Sequence, residues 1–201
     1  MTTVLGIVGS PLEQSKTQTA VEVALEAITE NSEIKADLLS LSEYDMVTAD
    51  GRMLEDYTGD TAQALNQIVE SDAYIIGTPV YRAAYSGLLK NLFDMIPRGQ
   101  WQADVAPLEN SAVGLIATGA TAHHYLSIDT TLRPIMAFFG AHCVGGGVYM
   151  YSDHFDEDID GEYMIVDTEM ENRLQTLGLA TADLADAVAS SEALSEIGPQ
   201  L

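Results

Sequence analysis

The sequence predicts a doubly wound α/β fold on a five-stranded parallel sheet of order 2-1-3-4-5, and three observations carry that expectation. First, the runs Thr3-Val-Leu-Gly-Ile-Val-Gly, Ala73-Tyr-Ile-Ile-Gly-Thr and Ser111-Ala-Val-Gly-Leu-Ile-Ala-Thr are continuously apolar. Strands buried on both faces of a parallel sheet read this way. Second, segments with apolar residues at helical spacing alternate with these runs. Third, each run ends in a loop rich in Gly, Ser, Thr or Pro, and in open α/β sheets ligands bind at that end of the strands.

The elements follow in chain order. After the first strand, Gly9-Ser-Pro-Leu-Glu-Gln-Ser-Lys-Thr leads into a helix marked by Ala20, Val21, Ala24, Leu25 and Ile28. Ile34–Leu41 is a second strand, and a polar connection over Ser42–Asp60 precedes a helix at Thr61–Glu70. Pro79 follows the third run and is expected to stop its pairing, because it has no N–H to donate. The residues up to Tyr85 are then a loop, and Leu88, Leu89, Leu92, Phe93 and Ile96 mark a helix ended by Pro97. Arg98–Asn110, with Trp101 in it, is a surface connection. The fourth run gives way to Thr118-Gly-Ala-Thr-Ala-His-His-Tyr, then to a helix from Leu126 to about Phe139 that Pro134 should kink. Ala141–Met150 supplies the fifth strand, with Cys143 as a core residue. Met170, Leu174, Leu177, Leu184 and Val188 place a last helix over Asp167–Ser190. Residues 1–201 are expected to form one domain, with a core over 1–150 and an acidic loop and helix over 151–201.

Composition narrows the partners. With 31 Asp plus Glu against 8 Lys plus Arg, the formal charge is −23 at pH 7. That field repels nucleic acid and anionic membranes, so neither is an expected partner. The acids are interleaved with apolar positions, unlike a disordered acidic tail. Such a surface is similar to those of proteins from salt-accumulating halophiles, where a Debye length of about 3 Å at 1 M salt screens the repulsion; an acidic interaction surface is the alternative. The longest apolar runs are too short to cross a bilayer. The N-terminus enters a strand pattern with no basic stretch before it, so no signal peptide is expected. A single cysteine, Cys143, excludes an internal disulfide and suits a reducing compartment. A cytoplasmic protein is the expectation.

Two loops carry chemistry on their residue types alone. Residues 10–17 lie between a strand and a helix N-terminus, where free N–H groups and the helix dipole favour an anion. Ser10, Ser15 and Thr17 add hydroxyls and Lys16 adds a charge, which suits a phosphate monoester. Ser15 or Thr17 as a plain helix cap is the competing reading. The 79–86 loop offers the flat rings of Tyr81 and Tyr85, the Ser86 hydroxyl and backbone amides, and an ordinary turn with two surface tyrosines remains its alternative. No H-E-x-x-H, C-x-x-C or G-x-S-x-G pattern competes, and adjacent His123 and His124 do not share a helical face, so no metal site is expected.

The stretch Thr78-Pro-Val-Tyr-Arg-Ala-Ala-Tyr-Ser-Gly-Leu-Leu-Lys resembles the signature of the NAD(P)H-dependent FMN reductase family, and most closely the flavin reductases of alkanesulfonate utilisation. The likeness runs from Val4 to about Tyr149. It implies a flavodoxin-like fold and hydride transfer from NAD(P)H to FMN, with no protein acid or base. It implies FMN phosphate binding at Ser10, Ser15, Lys16 and Thr17. It implies ring contacts from Pro79, Val80, Tyr81, Arg82 and Ser86, and from Thr118, Gly119, Ala120 and His123. Lys16 and Arg82 are also candidates for the NADPH 2′-phosphate, with plain surface charge as the alternative. A homo-dimer or tetramer and a flavin-dependent monooxygenase partner are implied as well. Two positions depart from the pattern. Ala120 stands where the family has a second glycine. Thr130 stands where the sulfonate-type enzymes insert a tyrosine that makes a π-bulge at the oligomer interface. Two other functions share these motifs: a reductase that keeps FMN bound and passes electrons to a quinone, azo dye or metal ion, and a flavodoxin-type electron carrier.

Overall fold

A computed structural model describes residues 2–31, 33–99 and 103–198, so Trp101 lies outside the described residues. The chain runs β1 (Thr3–Val8), α1 (Lys16–Asn31), β2 (Lys35–Ser40), α2 (Gly59–Val69), β3 (Ala73–Pro79), α3 (Gly87–Phe93), β4 (Ala112–Gly119) and α4 (Arg133–Phe139). It continues with β5 (His142–Cys143), β6 (Val148–Tyr151), β7 (Phe155–Glu157), β8 (Tyr163–Ile165), α5 (Thr168–Ala189) and α6 (Glu192–Glu196). The strands β2-β1-β3-β4-β5 pair in parallel in that order, as the alternating pattern predicts. This is the flavodoxin-like doubly wound arrangement.

One layer of helices, α1 and α5, covers Val4, Val8, Ile75 and Ile116 on one face of the sheet. Helices α2, α3 and α4 cover Leu5, Ile7, Tyr74 and Ile76 on the other. The buried strands are therefore apolar at every position, which is why they carry no period-2 alternation. α1 and α5 approach backbone to backbone: a Cβ on Gly178 would stand 2.1 Å from the Ala24 carbonyl oxygen. No described helix is long and apolar enough to cross a membrane.

Three features differ from the sequence expectation. The fifth strand position is shared by two short strands. Gly145, Gly146 and Gly147 separate β5 from β6, and both pair with β4. Pairing of β3 does not stop before Pro79, which is in register with Thr118, and the Val80 N–H donates to the Thr118 carbonyl at 2.7 Å. The missing N–H of Pro79 faces the side of β1, whose pairing with β3 ends at Gly77, so no ladder bond is lost. Finally, the interruption expected at Pro134 in the 126–139 helix takes the form of a π-helical turn at Ile128–Leu132 running into α4, and a separate 3₁₀ turn at Ala122–His124 precedes it. The Arg133 N–H donates to the Ile128 carbonyl, five residues back. Pro134 lacks an N–H and its ring would crowd the Thr130 carbonyl in a regular helix; the wide turn relieves that clash. A π-turn thus forms with Thr130 in it, without an inserted tyrosine.

Candidate functional site

Three strand-end loops meet at the carboxyl edge of the sheet. The first leaves β1 and enters α1. Ser10 is buried and its Oγ accepts from the Leu12 N–H at 3.2 Å. Ser15 is the residue before α1, and its Oγ accepts from the Gln18 N–H at 3.2 Å, as a helix-capping serine does. The N–H groups of Ser15, Lys16 and Thr17 make no hydrogen bond among the described residues. They are the free donors that a helix N-terminus leaves over. Capping and anion binding are compatible here, since the cap consumes only the Gln18 donor.

The second loop follows β3. The Thr78 hydroxyl accepts from the Ser86 N–H at 3.0 Å. Ser86 caps α3 by accepting from the Leu89 N–H at 3.0 Å, and donates to the Gly9 carbonyl at 2.5 Å. Its hydroxyl ties the first loop to the second. Between them, Tyr81 and Ala84 exchange backbone hydrogen bonds of 2.8 and 3.2 Å around Arg82 and Ala83, with φ values of 53° and 68°. This is a two-residue turn with both central residues left-handed, a conformation that normally selects Gly or Asn. Tyr81 is 47% exposed. Tyr85 turns inward against Phe93, edge to face at 6.0 Å.

The third loop follows β4. The Thr118 and Thr17 hydroxyls share a buried 2.6 Å hydrogen bond that joins it to the first loop. At Gly119 a Cβ would fall 2.1 Å from the Tyr149 hydroxyl oxygen, so glycine is required for the strand end to pass this ring. Tyr149 donates to the Thr121 carbonyl at 2.5 Å, and burial raises its pKa, which keeps the donor protonated. His123 is exposed, with Nδ1 2.9 Å from the Thr121 hydroxyl.

Ser10, Ser15, Lys16, Thr17, Pro79, Val80, Tyr81, Thr118, Gly119 and Ala120 line one cavity of about 290 Å³. Arg82, Ser86 and His123 are not in its lining. Leu12, Ser152 and Tyr163 are, and sequence reasoning missed all three. The cavity lining contains no carboxylate and a single charge, that of Lys16, in a chain of net charge −23. Two larger clefts, about 410 and 660 Å³, lie apart from the three loops and are lined in part by Glu169, or by Glu55 and Asp104. The strand-end cavity is the one whose donors suit a phosphorylated planar ligand: free N–H groups and hydroxyls at one end, Pro79, Val80 and Tyr81 at the other. Cys143 lies outside it, and burial raises its thiol pKa, as suits a packing residue. Among the described residues no group of His, Cys, Asp and Glu could hold a metal.

The fold is that of a flavodoxin-like protein, with the candidate cavity at the sheet's carboxyl edge. Residues 2–156 match the model of the NADPH-dependent FMN reductase family, and the chain belongs to that family. It is 37% identical over 174 residues to an NAD(P)H-dependent FAD/FMN reductase of Geobacillus thermodenitrificans, covering 86% of this chain and 88% of the relative. It is 36% identical over 137 residues to the NADH-dependent FMN reductase SfnF of Pseudomonas putida, with 66% and 68% covered. A crystal structure of an apo-form NADH:FMN oxidoreductase (EMOB) superposes with a TM-score of 0.72 over 96% of this chain and 94% of that one, at 23% identity. The chain is an oxidoreductase of the class that reduces FMN with NAD(P)H.

Proposed function

We propose that FMN binds in the strand-end cavity with its phosphate on the 10–17 loop and its ring against Pro79, Val80, Tyr81 and the Thr118–Ala120 edge. The observation that carries this reading is the exclusion of carboxylates from one cavity of a strongly acidic chain, together with free helix N-terminal donors beside Lys16. The Ser15 and Thr17 hydroxyls and the N–H groups of Ser15, Lys16 and Thr17 orient the phosphate. The Gly119 edge lets the backbone approach the ring. Tyr81, on its exposed turn, borders the open side, where a nicotinamide must lie parallel to the ring with reacting atoms about 3–3.5 Å apart. When bound, the flavin supplies the redox chemistry by accepting the hydride. The residues here hold, orient and shield; none is assigned as acid or base. Arg82, outside the lining but on the same turn, is assigned to the nucleotide rather than to FMN, and His123 to loop structure.

The finer reading is of a flavin reductase that releases reduced FMN to a monooxygenase, as a homo-oligomer in the cytoplasm. The exposed Tyr125, Leu126 and Phe138 flank the π-turn and offer apolar surface for self-association. The deciding experiment follows nicotinamide oxidation in molar KCl with and without added FMN, beside a visible spectrum of the purified protein. Oxidation dependent on free FMN from a colourless preparation is the expected result. A yellow protein that needs a quinone or dye would replace this reading with a bound-cofactor reductase.

A further inference from the structure

The cavity has a wall that straddles the end of the family match at residue 156, with Ser152 inside the match and Tyr163 beyond it. Strands β7 and β8 form an antiparallel hairpin whose turn carries Gly161 at φ 84°. This hairpin and the short turn before it lie against the first loop and the start of α1 at three points. Gln14 Nε2 donates to Glu162 Oε1 at 3.3 Å, and the Thr19 hydroxyl donates to the Tyr163 carbonyl at 3.3 Å. Lys16 Nζ donates to Ser152 Oγ at 3.0 Å and stands 5.1 Å from the centroid of the Tyr163 ring and 5.9 Å from that of Phe155.

The nature of these partners is informative. Lys35, Arg52, Lys90 and Arg133 each pair with a carboxylate, whereas Lys16, like Arg82, Arg98 and Arg173, forms no ion pair among the described residues; what sets Lys16 apart is the acidic company it keeps. Yet the same hairpin carries Asp156, Glu157, Asp158, Asp160 and Glu162. A flexible lysine stem in that company would ordinarily be drawn to one of these acids. A hydroxyl and two ring faces hold the ammonium without neutralising it, since ring quadrupoles attract a cation and add no net charge. The charge of Lys16 is therefore kept for whatever enters the cavity.

Resting on the FMN reading above, we propose that Ser152 and Tyr163 are positioning residues that hold Lys16 at the phosphate end, so that the site selects a phosphorylated flavin over an unphosphorylated one. The ring face of Tyr163, rather than its hydroxyl, carries the effect. Tyr163→Phe should therefore behave as the parent, while Tyr163→Leu and Ser152→Ala free the lysine to swing toward the acids.

The test titrates the full chain and the three variants with FMN and, separately, riboflavin at one fixed salt concentration. For Tyr163→Leu the expected result is an FMN affinity about tenfold lower with riboflavin affinity unchanged, a smaller loss for Ser152→Ala, and the parent's ratio in Tyr163→Phe. An unchanged FMN-to-riboflavin ratio in both Tyr163→Leu and Ser152→Ala overturns the proposal while leaving the FMN site standing. Equal loss of both ligands also overturns it, since that marks a merely structural hairpin. If the parent binds neither flavin, the FMN reading fails and this proposal with it.

Discussion

The two ends of the candidate site are both strand-end loops, and they are built in opposite ways. At the 10–17 end the hydroxyls are buried and engaged, Thr17 with Thr118 and Ser15 with the Gln18 N–H, and Ser86 of the second loop ties down the Gly9 carbonyl beside them. At the Tyr81–Ala84 end the side chains face solvent, and two non-glycine residues sit in the left-handed region. The first end is fixed by the packing of α1 on the sheet, and the second only by its own two backbone hydrogen bonds. A ligand part that must be held, such as a phosphate, belongs with the first. A second substrate that must arrive and leave belongs with the second.

The contrast can be broken most severely through α1. In Gly178→Ala the new Cβ would meet the Ala24 carbonyl oxygen and carbon at 2.1 and 2.9 Å, backbone atoms that cannot rotate away. The two helices must separate. The expected destabilisation is about 3 kcal/mol, from overpacking that exceeds the helix-propensity gain of about 1 kcal/mol. At this chain length that lowers the thermal midpoint by about 6–12 °C, measured by calorimetry. FMN binding should fall with it, while the 81–84 turn is untouched.

A narrower change removes the phosphate donors and keeps α1 packed on the sheet, at the cost of the Ser15 cap and the buried Thr17–Thr118 hydrogen bond. Ser15→Ala combined with Thr17→Ala should weaken FMN binding by about 2 kcal/mol, roughly 30-fold, since hydrogen bonds to charged groups are the strong ones. Riboflavin affinity should be unaffected. Loss of the Ser15 cap and of the buried Thr17–Thr118 hydrogen bond adds about 2–3 kcal/mol of instability, which the melting curve reads separately. FMN affinity equal to that of the parent would remove the phosphate from this loop.

These two ends were unequally legible in the sequence. The continuous apolar runs gave the buried strands, their alternation with helical segments gave the doubly wound order, and the loops 10–17 and 79–81 followed from where the runs stop. Pro79 misled, because the cost of its missing N–H depends on whether a neighbouring strand is still present, and β1 has already ended there. Pro134 did mark the interruption of the 126–139 helix; what residue spacing does not express is that a π-turn relieves its clash with the Thr130 carbonyl. The 155–165 hairpin was legible and overlooked. Asp160-Gly161 between Phe155 and the Tyr163-Met-Ile run is a standard hairpin signal, masked by the acidity around it. That Tyr163 then lies over Lys16 is a tertiary fact, set by the docking of the hairpin on α1.

The smallest effect sharpens the other end. Ala83 holds φ 68° in the turn, where a Cβ costs about 1 kcal/mol against the following carbonyl. Ala83→Gly removes that cost but frees the unfolded chain, which takes back part of the gain. The net expectation is stabilisation by about 0.5 kcal/mol, a rise of about 1–2 °C in the thermal midpoint. FMN affinity should change little, because Ala83 lies outside the cavity lining and Pro79, Val80 and the Thr118–Ala120 edge still meet the ring. The KM for the nicotinamide nucleotide should rise, because a more mobile Tyr81 borders the open side less consistently. Destabilisation instead would mean that the turn does not hold its left-handed form in solution. A weaker FMN affinity would mean that this loop holds the flavin as firmly as the first one does, and the division between a fixed end and an adaptable end would fall.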